Sequence, residues 1–241
     1  MVHNKALVLT DNEHQYNKFY EIITKFDILK KFDFFKSGNS NFPGVKINSL
    51  DIKKDYRYVI DNYDIVFSLH CKQLFPEKLV NNITCINIHP GYNPYNRGWY
   101  PQVFSIIEDN IIGATIHLMD KELDNGFIIA RKEVEKFFWD TSETLYSRIL
   151  QAEVDLINDN LLDIMNDNYC PFPPEVRGEL KLKKDFNELC RIDLERVGSF
   201  KEFYNYLRAL SHNDFKNAYF VDNKTNKKVY LKLFIEVYNN D

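Results

Sequence analysis

Residues 63–89 read YDIVFSLHCKQLFPEKLVNNITCINIH, and this stretch decides the fold class. Two short apolar runs, residues 63–69 and 83–88, are bounded by polar residues, as buried parallel strands are. Between them Pro76 opens a short helical segment, since proline is favoured at the start of a helix. A strand, a helix and a second strand in this order predict two parallel strands joined by a crossover.

The same alternation continues on both sides of this unit. Apolar runs predict strands, and apolar residues at helical spacing predict helices. The predicted strands are residues 5–10, 45–50, 112–119 and 127–135, and the predicted helices are residues 14–31, 98–109 and 142–166. We therefore expect an α/β fold with a Rossmann-like, mostly parallel sheet flanked by helices.

The composition changes near residues 169–174, where three prolines fall within four positions and break the preceding helix. Beyond this point the sequence predicts a helix at residues 199–211 and a terminal hairpin over 217–238. The last strand of the hairpin is aromatic and β-branched, and such an exposed edge often pairs with a partner chain. We divide the chain into a main domain, 1–170, and a small C-terminal region, 171–241, that ends in a β-hairpin.

The 241 residues are 44% hydrophobic and 27% charged, which is typical of a globular protein. The net charge of −4 argues against a general nucleic-acid binder. The four cysteines are widely spaced and form no CxxC pair, so we expect no metal site. The sequence has neither a signal peptide nor an apolar run long enough to span a membrane. We expect a cytoplasmic protein with reduced thiols.

The predicted strand at 83–88 contains Asn87 near its end and is followed directly by His89. Ligands of open α/β sheets bind outside the carboxyl ends of the strands. Residues two apart in a strand lie on the same side, so both side chains are expected to project into that crevice. The alternative is that both residues only stabilise a turn, and for an isolated Asn-x-His this is the more frequent case.

Residues 117–126, HLMDKELDNG, place Asp120 and Asp124 in the turn after the next strand, at what we expect to be the corresponding end of the sheet. A carboxylate close to a histidine orients the ring and favours its charged form. Taken alone, Asp124 reads as a turn residue beside Asn125-Gly126. The turn interpretation weakens when Asn87, His89 and Asp124 are considered together.

The strand ending in Asn87-Ile88-His89, the Pro94-x-x-Arg97-Gly98 that follows and residues 113–126, GATIHLMDKELDNG, resemble the N10-formyltetrahydrofolate-dependent formyltransferases. The resemblance implies catalytic roles for Asn87, His89 and Asp124, and N10-formyltetrahydrofolate as the co-substrate that supplies the formyl group. Asn87 and a protonated His89 would stabilise the negative charge that develops on the formyl oxygen. Alternatively, His89 acts as the base for the amine proton. Both roles remain open from the sequence.

Among these enzymes, residues 89–106 and 203–220 most resemble the nucleotide-sugar N-formyltransferases, and above all those acting on dTDP-4-amino-4,6-dideoxyglucose. The implied role is formylation of a dTDP-amino sugar for surface polysaccharide (O-antigen) biosynthesis by a homodimer that pairs through its hairpin. Residues 1–170 would then be the formyltransferase catalytic domain, with 171–241 contacting the nucleotide. The alternatives are formylation of another small amine, such as glycinamide ribonucleotide, and a relative that binds nucleotide or folate without turnover.

Binding roles follow from the chemistry of the side chains. Arg97 and Arg208 are predicted to neutralise the pyrophosphate. The stretch at 69–74 is expected to frame the pterin through its backbone, with Cys71 as a loop residue and not a nucleophile, and His212 and His3 are interpreted as surface residues. The remaining predicted contacts are Tyr92, Trp99, Tyr100 and Tyr219 on thymine or hexose, Asn93 on a sugar hydroxyl, and Cys71, Lys72, Leu74 and Asp120 on the folate.

Overall fold

A computed structural model describes residues 1–38 and 45–238 of the protein. Its strands are Ala6–Thr10 (β1), Phe32–Lys36 (β2), Asn48–Ser49 (β3), Ile65–Leu69 (β4), Thr84–His89 (β5), Arg97–Gly98 (β6), Gly113–Leu118 (β7), Ile128–Glu133 (β8), Leu180–Lys181 (β9), Tyr219–Val221 (β10) and Lys228–Tyr230 (β11). Its α-helices are Glu13–Lys25 (α1), Tyr56–Asn62 (α2), Glu77–Val80 (α3), Pro101–Glu108 (α4), Ser142–Met165 (α5), Lys183–Leu189 (α6) and Phe200–Leu210 (α7).

In the described part of the chain, seven strands form one sheet in the order β3-β2-β1-β4-β5-β7-β8. The strands from β3 to β5 are parallel, whereas β7 runs antiparallel to both β5 and β8. The predicted α/β class with a mostly parallel sheet is confirmed. The expectation that the turn after β7 lies at the end corresponding to the tip of β5 is wrong, because Leu118, the last residue of β7, pairs with Ile86 and not with His89.

The elements differ from the predictions in three further places. Strand β2 and helices α2 and α6 were not predicted, since their apolar residues are interrupted by charged ones. The helix predicted over 14–31 ends at Lys25 and is followed by a short 3-10 turn at Leu29–Lys31. The last predicted strand pairs only over Lys228–Tyr230.

Helices cover both faces of the sheet, and strand alternation decides which residues each face buries. Ile86 and Ile88 of β5 face a core that contains α1, α4 and α5. Cys85 faces the opposite core, which is closed by α2 and α3. Asn87 and His89 have the same parity as Cys85, so the strand directs them away from α5.

The helices of the C-terminal region pack on the helical layer that covers one face of the sheet. Phe186 of α6 and Tyr206 and Leu210 of α7 belong to the same buried cluster as α4 and α5. The antiparallel pair β10 and β11 follows and confirms the predicted hairpin. The division into domains at residue 170 stays a prediction. Within residues 1–38 and 45–238, each helix is too short or too polar to cross a bilayer.

Candidate active site

A cavity of about 980 Å³ opens at the carboxyl ends of β4 and β5. Asn87, His89 and Asp124 all line it, so the three residues singled out in the sequence do meet. One side of the cavity, which we call the loop side, is formed by residues 71–75 and 119–124. The rest of the wall, which we call the helix side, includes His70, Trp99, Tyr100, Ser142, Tyr146, Phe186, His212 and Phe215.

Asp124 lies at the centre of the polar cluster and is only 7% exposed. Asn87 Nδ2 donates to Asp124 Oδ1 over 3.0 Å, and the backbone N–H of Gly98 donates to Oδ2 over 3.0 Å. The nearest nitrogen of His89, Nδ1, is 3.7 Å from Oδ2. Residues 119–127 fold back from the end of β7, which explains how Asp124 reaches the tip of β5 although the two strands run in opposite directions.

The charge of Asp124 is stabilised by its surroundings. Burial, the largest influence, would by itself raise the pKa of this carboxyl group. The rings of His89 and His117 and the Gly98 N–H outweigh burial and hold the pKa of Asp124 well below its usual range. Asp124 is therefore a carboxylate throughout the neutral range.

His89 is buried, and its two ring nitrogens have different environments. Nε2 lies 2.8 Å from the backbone carbonyl oxygen of Asn96, which can only accept, so Nε2 carries a proton. Nδ1 faces Asp124. The nitrogen at which His89 can gain or lose a proton is therefore Nδ1, and a charge formed there is balanced by the carboxylate.

Gly91 allows the His89 ring to take this position. A Cβ atom at residue 91 would lie 2.5 Å from His89 Nε2 and 2.6 Å from the Asn96 carbonyl oxygen. Both distances are shorter than van der Waals contact, so no larger residue fits without displacing the ring.

His117 is a member of the cluster that the sequence analysis missed. Its Nδ1 donates to the Leu118 carbonyl over 2.8 Å, and its Nε2 lies 3.3 Å from Asn87 Nδ2 and 3.4 Å from Asp124 Oδ1. His117 sits directly opposite Asn87 in the antiparallel register. The histidine stands within the motif at 113–126, but only this register shows that it joins the site.

The residues predicted to contact the folate, Cys71, Lys72, Leu74 and Asp120, all line the loop side. Burial raises the pKa of the Cys71 thiol to about 12, so this thiol is not a nucleophile at neutral pH. Lys72 donates its backbone N–H to Asp11. Their contact with folate stays a prediction.

Arg97 does not face the cavity, and its predicted pyrophosphate role is contradicted. The side chain is 4% exposed. Its Nε and Nη2 donate to the Leu123 carbonyl over 3.1 and 2.8 Å, and Nη1 donates to the Arg177 carbonyl over 2.7 Å. The guanidinium group thus joins the loop that carries Asp124 to the chain at 177–178.

Arg208 is likewise occupied within the fold. Its Nη1 donates to the carbonyls of Phe137 and Asp140 over 3.2 and 2.8 Å, and its Nε donates to Asn205. The residue is buried and lies outside the cavity wall, so its predicted pyrophosphate contact is also contradicted. Burial lowers its pKa from the usual arginine value.

Of the aromatic residues predicted to hold the acceptor, Trp99 and Tyr100 line the cavity. Tyr92 packs under Arg131, and Tyr219 packs on Tyr230 in the hairpin, so neither reaches the cavity of its own chain. The predicted sugar contact of Asn93 is contradicted too, because its buried amide donates to the Asp124 backbone carbonyl over 3.2 Å.

The interpretation of His212 as a surface residue is wrong. His212 lines the helix side, where Nδ1 lies 3.1 Å from Ser142 Oγ and the ring packs 5.7 Å from that of Tyr146. Burial lowers the pKa of His212. The sequence offered no signal for this placement, because a lone histidine after a helix is usually exposed.

Comparison with known proteins gives a consistent family. A formyl transferase model matches residues 51–161, and a model described as the N-formyltransferase dimerization C-terminal domain matches residues 185–237. The dTDP-4-amino-4,6-dideoxyglucose formyltransferase of Mycobacterium tuberculosis is 41% identical over 230 residues, 95% of this chain and 96% of that protein.

Solved structures agree with the sequence relatives. A sugar N-formyltransferase from a Shewanella species superposes with a TM-score of 0.93 at 40% identity, covering 98% of this chain and 99% of that one. A 4-N formyltransferase from Francisella tularensis superposes with a TM-score of 0.91 at 40% identity over the same shares.

Proposed function

Because this chain belongs to the family of sugar N-formyltransferases, we propose that it transfers a formyl group from N10-formyltetrahydrofolate to the 4-amino group of dTDP-4-amino-4,6-dideoxyglucose. The observation that carries the proposal is the meeting of Asn87, His89 and Asp124 on one cavity wall. The 4-amino position is supported by the names of the M. tuberculosis and F. tularensis relatives.

The roles of the three residues follow from their atoms. The folate supplies an electrophilic formyl carbon. Asn87 is half-buried at the cavity wall, and its side-chain amide is held by Asp124, so it is oriented to donate to an oxygen that gains negative charge. His89 Nδ1 takes the proton that the amine loses as the amine nitrogen bonds to the formyl carbon, and Asp124 stabilises the charged ring. The same proton then passes to N10 of the folate as the bond between N10 and the formyl carbon breaks.

The loop side has the character that a flat pterin requires. Leu74, Phe75 and Met119 give it apolar surface, and the loop backbone offers polar groups. The acceptor then occupies the helix side, where Trp99 and Tyr100 lie. The amine of the acceptor and the formyl carbon meet between the two sides, beside Asn87 and His89.

The intact cluster disfavours a relative that binds without turnover, since binding alone needs no buried carboxylate between two histidines. Formylation of glycinamide ribonucleotide is disfavoured by the relatives, whose similarity extends over the C-terminal region.

The proposal includes a homodimer that pairs through the hairpin. Residues 231–238 have no strand partner within the described chain, and Phe234 and Tyr238 are 80% and 78% exposed. A second copy would cover this apolar edge. The enzyme is proposed to act in the cytoplasm, consistent with the free thiols of its four cysteines, on a precursor of surface polysaccharide.

Incubation of the purified protein with N10-formyltetrahydrofolate and a panel of dTDP-3-amino and dTDP-4-amino sugars, followed by mass spectrometry, tests the proposal. We expect a gain of one formyl group, with the 4-amino sugar preferred. Absence of transfer to every sugar would refute the proposed function, and a preference for a 3-amino sugar would refute the position.

A further inference from the structure

A buried carboxylate stands behind the helix side of the cavity, away from the Asn87, His89 and Asp124 cluster. Glu153 of α5 is 0% exposed. Its two oxygens lie 2.9 and 2.7 Å from His70 Nε2, and Gln15 Nε2 donates to Oε2 over 2.8 Å. Because the carboxylate accepts, Nε2 of His70 carries a proton and the ring orientation is fixed.

Stability alone does not explain the pair of Glu153 and His70, because apolar residues in their place would stabilise the fold at least as well. Removing a carboxylate from water is costly, and buried ion pairs are often no more stabilising than apolar residues of the same volume. A carboxylate that fixes an imidazole from behind is, by contrast, an effective way to orient the ring in a binding site. The arrangement therefore indicates a task for the free edge of His70.

The edge of the His70 ring that Glu153 does not hold faces the cavity. His70 lines the cavity wall, and its Nδ1 lies 3.3 Å from the hydroxyl oxygen of Tyr146, which lines the cavity as well. His70 follows β4 with a φ of 57°, a left-handed conformation that turns the side chain toward α5 and away from the face of Asn87. The Tyr146 hydroxyl donates to Nδ1, so the two groups form one polar edge on the helix side, at which the Tyr146 oxygen can still accept a hydrogen bond.

The sheet register places this edge beside the point of transfer. Leu69 of β4 pairs with Ile88 of β5, so the next residues, His70 and His89, end neighbouring strands. Adjacent strands lie about 4.8 Å apart. The two side chains leave the sheet on opposite faces, and both reach the cavity that opens at the strand ends. An acceptor that reaches His89 from the helix side therefore passes the polar edge formed by His70 and Tyr146.

We propose that the hydroxyl oxygen of Tyr146 accepts a hydrogen bond from a hydroxyl group of the acceptor hexose, and that Glu153 and His70 are positioning residues, Glu153 orienting His70 and His70 orienting Tyr146. The inference rests on the proposed function and adds the part of the site that recognises the sugar ring. Tyr146 contacts the acceptor, whereas Glu153 acts through His70 and His70 acts through Tyr146.

The test compares kcat/KM for dTDP-4-amino-4,6-dideoxyglucose with that for its 2-deoxy and 3-deoxy analogues. The enzymes are the wild type, His70→Ala, Tyr146→Phe and Glu153→Gln, with His14→Ala and Tyr20→Phe as controls, since both control residues are exposed on α1. Thermal melting and the KM for folate establish that each variant is folded. Tyr146→Phe removes only a hydroxyl group, so it still tests the inference if His70→Ala does not fold.

With the parent sugar, we expect kcat/KM of His70→Ala and Tyr146→Phe to fall at least roughly tenfold, mainly through the KM of the sugar, since one hydrogen bond is lost. With the analogue that lacks the contacted hydroxyl, the loss should shrink below about threefold. Glu153→Gln should follow His70→Ala, and both controls should match the wild type.

An equal loss with all three sugars, or no loss, would overturn the inference while wild-type turnover upholds the proposed function. A wild type that formylates none of the sugars would instead refute the proposed function itself.

Discussion

The cluster around Asp124 is rich in charged and polar side chains, and the C-terminal segment at 219–238 is rich in aromatic and β-branched side chains. Both kinds of side chain usually pack against partners, but the two regions differ in where these partners lie. Asp124 meets Asn87, His89 and His117 within its own chain. The C-terminal segment pairs over three residues in each strand and then continues without a strand partner in the described chain, with Phe234 and Tyr238 exposed.

The cluster around Asp124 is complete within one chain, whereas we propose that the C-terminal segment is completed by a second copy. The polar cluster is enclosed by the fold, so we expect its chemistry to depend on positions within one chain. The hairpin leaves apolar side chains and backbone groups exposed, so we expect its stability to depend on association. Changes in one region should therefore leave the property of the other unchanged.

The largest effect is expected at the cluster itself. His89→Ala removes the proton acceptor and should lower kcat by roughly 10²- to 10⁴-fold, the usual contribution of a general acid or base. Steady-state kinetics measures the loss, and calorimetry should show that the dTDP-sugar still binds and sedimentation that the dimer persists. Unimpaired turnover would contradict the assignment of His89.

Asp124→Asn should lower the free energy of unfolding at pH 7 by roughly 3 kcal/mol, because it breaks a buried charged cluster. The pKa of Asp124 is depressed by folding, so its contribution is complete above the unfolded value of 3.8 and is lost as pH falls below it. Urea denaturation should show the same gap from wild type at pH 7 and pH 5 and a partly reduced gap at pH 3.

The matched control is Asp61→Asn, an exposed acid in α2, which should leave stability unchanged across this pH range. If the gap between Asp124→Asn and wild type closed already at pH 5, the depressed pKa would be wrong.

Phe234→Asp tests the C-terminal segment and should weaken the dimer. A charge at an apolar contact should raise the dimer dissociation constant roughly 30-fold, as expected for an interface hot spot of about 2 kcal/mol. Analytical ultracentrifugation over a concentration series measures the shift, with Tyr58→Asp on α2 as the control for an exposed aromatic. A dimer as tight as wild type would exclude this surface.

Gly91→Ala is the smallest of these changes and should lower kcat roughly tenfold, because the added methyl group displaces the His89 ring by a fraction of an ångström. Gly38→Ala, which meets no atom within 4 Å, should turn over like the wild type. Equal activity of the two variants would show that the His89 ring tolerates displacement.

The sequence alone was enough to predict the α/β class and to single out Asn87, His89 and Asp124 as candidate catalytic residues. Apolar runs report burial, and strand periodicity places Asn87 and His89 on one face whatever the rest of the chain does. Asp124 was found through its motif, although the reason first given for its position, a strand end shared with β5, was wrong because β7 is antiparallel.

Which polar residues join the site became visible only in the tertiary structure. His117 enters through the register with Asn87, and His70 through a left-handed turn toward Glu153. Arg97 and Arg208 do not join the site, because their guanidinium groups donate to backbone carbonyls that lie far from them in the sequence. Periodicity fixes a side chain's face locally, whereas its partners depend on contacts between distant segments, which no local pattern encodes.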